Sequence, residues 1–226
     1  MKMPTGCACI VEPRKHPSLG LSIRSVYLSI PKQWPIFVFH GSDNVGEAEK
    51  ACEHVPSAQL HSLGVTNLTI HDYNHLLTDP SFYNHFADYD YVLIFQTDSL
   101  MFPFAPKPIT EFLGTDWIGA CWRHHPKHKG GNGGFSLRNV KRMQELLTKH
   151  PYPPKCQIPE DLYICNLPGI RLPERSVSMQ FSVESIFYPT PLAVHKPWLF
   201  LDPQQWRKLL QYAPIVKELR RLNRQK

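Results

Sequence analysis

Asp98 lies in Gln96-Thr-Asp98-Ser99, directly after the apolar run Tyr91-Val-Leu-Ile-Phe95. A carboxylate at the exit of a buried strand can hold a hard divalent cation that keeps most of its waters and bridges to phosphate oxygens. On this residue alone, a cap on the next turn is an equally good reading. The run Gly130-Gly-Asn-Gly-Gly-Phe-Ser-Leu-Arg138 puts four glycines in five positions, so the backbone can approach a ligand closely or take positive φ. It lacks the Gly-Lys-Ser/Thr ending of a P-loop, and the alternation that follows it suggests a strand edge. Glu160-Asp161 follows Pro159 at a helix start. Neighbours on a helix point about 100° apart, which gives the two carboxylates separate duties: one faces a cleft as general base, the other caps or binds. His195 ends a short apolar strand in Ala-Val-His-Lys-Pro-Trp198 and gains a role only if the fold brings it to Asp98. His124, His125 and His128 sit among Arg123, Lys127 and Lys129, with no carboxylate or cysteine at ligand spacing, so a polar loop is expected there rather than zinc.

The elements that must position these residues alternate. Strands are expected at Cys7 to Val11, Pro35 to His40, Leu68 to Ile70 and Tyr91 to Phe95, with helices at Leu19 to Ser29, Val45 to Glu53 and up to Phe86 behind the cap Thr78-Asp-Pro-Ser81. Tyr91 to Phe95 is apolar on both faces, as in a parallel sheet, and strands alternating with helices give an α/β layer structure. Further on come Trp117 to Trp122, a helix from Asn139 to Lys149, Pro159 to Asn166, Phe181 to Tyr188 and Leu192 to His195. Asp202-Pro203 is an N-cap followed by proline at the first helical position, and Pro214 interrupts the helix it starts. The expected division is a single α/β domain over 1–201, with a mostly parallel central sheet flanked by helices, and a basic amphipathic helical tail over 202–226.

Charge supports that division. The 226 residues carry a net charge of +6, yet through Trp206 there are 18 basic and 18 acidic residues, so the whole excess falls on 207–226. The balanced body argues against nucleic acid as a partner. The tail is expected to lie outside the chemistry, its apolar side packed on the body and its basic face solvated or touching an anionic surface, with peripheral membrane contact as one form of it. The six cysteines form no Cys-x-x-Cys pair, and neither a signal peptide nor an apolar run of ~18 residues is present, so reduced thiols and a cytoplasmic setting are expected.

In order, the motifs Val11-Glu-Pro-Arg14, Phe95-Gln-Thr-Asp-Ser99, Gly131-Asn-Gly-Gly-Phe-Ser-Leu-Arg138, Glu160-Asp161 and His195-Lys-Pro-Trp198 resemble the GT-A fold glycosyltransferases. More closely, they resemble a little-characterised family of glycosyltransferase-like domains. The resemblance implies a metal-dependent, inverting transfer of a sugar from a nucleotide-diphosphate sugar, a UDP-sugar foremost, to a glycan or other hydroxyl acceptor. It implies that Gln96-Thr97-Asp98 takes the place of the Asp-x-Asp motif, with Asp98 and His195 binding Mn²⁺ or Mg²⁺ and Gln96 standing where the first acid would add charge. It further implies that Lys196 reaches the diphosphate, that Val11, Glu12 and Arg14 lie by the nucleoside, that Asn132, Gly133 and Gly134 line the donor sugar, and that Glu160 or Asp161 deprotonates the acceptor. The alternatives are a non-catalytic nucleotide-sugar or carbohydrate-binding module, or an anionic-surface binder working through the tail.

Overall fold

A computed structural model of the chain describes residues 4–124 and 130–224. In chain order the elements are β1 (Gly6–Glu12), α1 (Leu19–Tyr27), β2 (Ile36–His40), α2 (Val45–Cys52), β3 (Ala58–Ser62), α3 (Ile70–Thr78), β4 (Tyr91–Phe95), β5 (Ser99–Met101), β6 (Trp117–Ala120), β7 (Asn132–Asn139), α4 (Val140–Lys149), α5 (Glu160–Cys165), α6 (Arg175–Phe181), β8 (Ser182–Val183), β9 (Ala193–His195), α7 (Pro203–Tyr212) and α8 (Val216–Leu222). The main sheet has the order β3-β2-β1-β4-β7-β6; β1 to β4 pair in parallel, while β7 runs antiparallel to both its neighbours. A second sheet, β5-β9-β8, stands beside it. This is the expected single α/β domain with a mostly parallel central sheet flanked by helices.

Alternation along the strands builds two apolar layers. Ala8, Ile10, Val38, Leu93 and Phe95 pack with Ile23 and Val26 of α1 on one face. Cys7, Cys9, Phe37, Val92 and Ile94 pack with Phe82 and Phe86 and with Met143 and Leu147 of α4 on the other. Strands buried on both faces explain why β1, β2 and β4 read as apolar runs.

Three expectations change. Leu68 to Ile70 is not a strand: Thr69 caps α3 through a reciprocal pair with Asp72, and the third parallel strand is the polar edge segment β3. The strand suggested after the glycine run is β7, and it lies inside the sheet, between β4 and β6. Of Phe181 to Tyr188, only Ser182–Val183 is a strand, and Phe181 closes α6.

The carboxy-terminal helices are fastened to the body. Leu209, Ala213, Val216 and Leu219 are fully buried against Leu100, Val183 and Val194 of the second sheet. Asp202 caps α7 in a reciprocal pair with Gln205. Among the described residues all six cysteines are free, and no helix is long and apolar enough to cross a membrane.

Candidate active site

The carboxyl ends of β1 and β4 open into a cleft of about 800 Å³, the place where open α/β sheets bind ligands. Because β7 is antiparallel to β4, its start at Asn132–Gly134 arrives at the same edge, and the amino end of α5 and the end of β9 close round it. Val11, Glu12, Arg14, Gln96, Thr97, Asp98, Asn132, Gly134, Glu160, Asp161, His195 and Lys196 all line this cleft. Gly133 lies just beneath, donating its N–H to Asp161 Oδ2 at 3.0 Å. His124 also lines the cleft, while His125 and His128 lie outside the described residues.

Strand pairing brings Asp98 and His195 together across almost a hundred residues. Ser99 pairs with His195 in the β5–β9 ladder, and Lys196 N–H donates to the Asp98 carbonyl at 2.9 Å. His195 Nε2 stands 3.0 Å from Asp98 Oδ1 and 3.2 Å from Gln96 Oε1, while Nδ1 faces Glu184 Oε1 at 3.1 Å. Burial alone would lower the His195 pKa, but the Asp98 carboxylate, with support from Glu184, outweighs it and lifts the imidazole to about 9. Burial likewise works against the Asp98 carboxylate, and the charges of His195 and Lys196 overcome it, bringing it down to about 2. Lys196 takes φ +35°, a left-handed conformation that costs a non-glycine residue energy and that clusters at functional sites.

These shifts fix how the metal-free protein responds to pH. The histidine contribution is complete below its ordinary pKa of 6.5 and is lost as pH rises through about 9. The aspartate contribution is present above 3.8 and is lost as pH falls through about 2. Unfolding free energy is therefore expected to decline between pH 6.5 and 9, by an amount on the order of 3 kcal/mol. His195→Asn should flatten that limb in urea titrations run across the range; an unchanged slope would show that the pair does not govern it.

The residues suit a divalent cation by two tests. Asp98 Oδ1 is buried without a hydrogen bond of good geometry, even with His195 Nε2 at 3.0 Å, and ligand atoms about 3.0 Å apart are neighbouring vertices of an octahedron with ~2.1 Å bonds. Glu184 on Nδ1 would hold the tautomer that leaves Nε2 free to ligate. No group of three His, Cys, Asp or Glu side chains that could hold a metal occurs among the described residues. A cation held here would have two protein ligands, and phosphate oxygens and water would have to complete its shell.

The acids of α5 have separate partners, as their spacing suggests. Glu160 Oε1 accepts from Arg138 Nη2 at 3.0 Å. Arg138 is fully buried, donates to Tyr83 Oη and Ser136 Oγ, each at 3.0 Å, and lies 4.0 Å over the Trp117 ring. Asp161 is held by peptide N–H groups, from Gly133 at 3.0 Å and Leu162 at 2.7 Å. Burial pushes both carboxyls up; for Glu160 the charge of Asp161 adds to it and Arg138 opposes it. Side chains at the glycine run would undo the arrangement, since a Cβ at Gly133 would collide with the Glu160 carboxylate and one at Gly134 with the His195 ring. Arg138→Met leaves Glu160 buried without its counter-charge, so a loss of about 3–5 kcal/mol of stability is expected. Urea unfolding checks it; a loss under ~1 kcal/mol would mean that Glu160 does not need the guanidinium.

Sequence reasoning missed Arg138, Glu184 and Tyr73, whose Oη accepts from Gln96 Nε2 at 3.0 Å. Nor does it show that Glu12 and Arg14 pair with each other, at 2.8 and 3.0 Å, although their i, i+2 spacing at a strand exit is a usable signal. Leu222 and Asn223, placed in a tail apart from the chemistry, form part of the cleft wall.

The fold has solved counterparts. A mannosyltransferase, PcManGT from Pyrobaculum calidifontis, in complex with GDP-Man and Mn²⁺, aligns with a TM-score of 0.54 at 13% identity, over 77% of this chain and 56% of its own. The WbbM bifunctional glycosyltransferase, solved without ligand, aligns with a TM-score of 0.54 at 12% identity, over 98% of this chain and 52% of its own. The chain thus spans about half the length of these structures, and at such identities the likeness is one of fold. No curated protein matches the sequence. Residues 58–195 carry Asp98, the glycine run, both α5 acids, Glu184 and His195; they match the family described as protein of unknown function (DUF5672), and since they make up more than half of the chain, it belongs to that family.

Proposed function

We propose that the chain is a metal-dependent glycosyltransferase that moves a sugar from a nucleotide-diphosphate sugar to a hydroxyl acceptor with inversion. The observation that carries this reading is one cleft in which Asp98 Oδ1 and His195 Nε2 face each other at 3.0 Å while a second acidic group, on α5, lines the same space. The fold shared with a mannosyltransferase solved with GDP-Man and Mn²⁺ supports it.

In this reading Asp98 and His195 hold Mn²⁺ or Mg²⁺, which when bound neutralises charge growing on the leaving diphosphate. Lys196 adds a second positive charge beside it. Val11, Glu12 and Arg14 border the nucleoside, with Thr97 Oγ1 3.3 Å from Glu12 Oε2. Gln96, Asn132, Gly133 and Gly134 line the donor sugar. Asp161 accepts the proton as the acceptor oxygen bonds to the anomeric carbon and the bond to the diphosphate breaks. Asp161 is assigned that task rather than Glu160 because Glu160 is engaged by the buried Arg138 guanidinium, whereas the hydrogen bonds Asp161 accepts come from the peptide N–H groups of Gly133 and Leu162.

The test is release of nucleoside diphosphate from a panel of UDP- and GDP-sugars with Mn²⁺, with and without chelator. At least one donor is expected to turn over, and only with metal. If none does and calorimetry finds a nucleotide sugar bound equally well without metal, the chain is a binding module.

A further inference from the structure

The carbonyl of Thr97, the last peptide oxygen before Asp98, is gripped from two elements. Ser18 Oγ at the head of α1 donates to it, and so does Ser22 Oγ, one turn later, at 3.1 Å. The third donor is Asn223 Nδ2, at 3.2 Å, from the end of α8; the same nitrogen lies 3.3 Å from Ser18 Oγ and 3.0 Å from the Leu219 carbonyl. The three donors share an oxygen with two lone pairs, so α1 and α8 together restrain its peptide plane. The carbonyl on the far side of Asp98 accepts the Lys196 N–H at 2.9 Å, so the peptide groups on both sides of this residue are tied.

The position of Asn223 follows from the packing of its helix. Val216 and Leu219 are fully buried against the second sheet, and Asn223, four residues after Leu219, falls on the same face and points inward. Leu222 and Asn223 line the cleft with Asp98, while Arg221 pairs with Glu218 on the exposed side.

We infer that α8 is a working part of the cation site: Asn223 is a positioning residue that, through the Thr97 carbonyl, keeps the Asp98 carboxylate turned toward His195. The inference rests on the reading of Asp98 as a cation ligand. Its consequence is that the basic terminal segment, although outside every sequence motif, governs metal affinity.

The experiment titrates Mn²⁺ alone into the 226-residue chain and follows the free ion by electron paramagnetic resonance. Asn223→Ala is expected to weaken binding by about 3- to 10-fold, the worth of one hydrogen bond, with the thermal midpoint little moved. Asn223→Leu, which keeps the branching and the number of side-chain heavy atoms but has no donor, should weaken it equally and serves if Ala loosens the helix. Arg221→Ala on the exposed face should bind Mn²⁺ as the unaltered chain does. Unaltered affinity in both Asn223 variants, with Asp98→Ala abolishing binding, overturns the inference and leaves the cation site standing. An equal loss in Arg221→Ala also overturns it, since the effect would then be one of helix charge. If Asp98→Ala binds Mn²⁺ normally, the cation reading of the cleft fails and the role of Asn223 falls with it.

Discussion

Asn in place of Asp98 is expected to cut metal-dependent sugar transfer by about 10³-fold or more. Asp98 is the one carboxylate that faces His195 Nε2, and its pKa of about 2 keeps it charged at every working pH. The amide keeps the shape and loses the charge, and the nearby Gln96, whose Oε1 also faces His195 Nε2, carries none to replace it. Loss of Mn²⁺ affinity should accompany loss of turnover, and raising the metal concentration should restore part of the rate. The imidazole must shed its proton before it can ligate, so in the unaltered chain Mn²⁺ should bind more tightly as pH rises toward 9. Turnover in Asp98→Asn within about tenfold of the unaltered chain would remove the metal from the mechanism.

Much of this centre is legible in the sequence because its parts sit where elements begin or end. Asp98 follows the most apolar strand, His195 closes another, and the α5 acids follow a proline. The parallel strands β1, β2 and β4 are equally legible, since burial on both faces leaves an unbroken apolar run. β3 is hidden for the opposite reason: at the sheet edge none of its residues is buried, so Ala58-Gln-Leu-His-Ser62 carries no apolar pattern. What stays out of reach are residues whose role is set by register across the fold. Arg138 is one polar residue in a strand until β7 is placed between β4 and β6 over Trp117 and under Glu160. Glu184 has no motif around it and matters only because it meets the second nitrogen of His195. Asn223 reaches Thr97 across 126 residues, through helix packing that the net charge of the segment masks.

The two neighbouring acids of α5 give the sharpest separation of chemistry from structure. Asp161→Asn is expected to lower kcat by about 10²- to 10⁴-fold, the usual worth of a positioned base, with the KM for donor and the affinity for Mn²⁺ little changed. Gly133 donates to Oδ2 and Leu162 to Oδ1, so the single amide oxygen keeps one of these bonds and the NH2 meets the other donor; a stability loss of about 1–3 kcal/mol is expected beside the loss in kcat, which is read on the folded fraction. Glu160→Gln should behave differently. It removes the charge that answers the buried Arg138, so most of its effect should be on stability, with transfer by the surviving folded protein far less impaired. Burial raises the Asp161 carboxyl, so the acidic limb of kcat should lie above the ordinary carboxylate range, and activity should fall as pH drops through that limb. Product stereochemistry, read by NMR on the first-formed glycoside, completes the test. Inversion together with the Asp161→Asn loss fits direct attack assisted by this base, whereas retention, or a Glu160→Gln variant that is stable yet inactive, would move the proton acceptor elsewhere in the cleft.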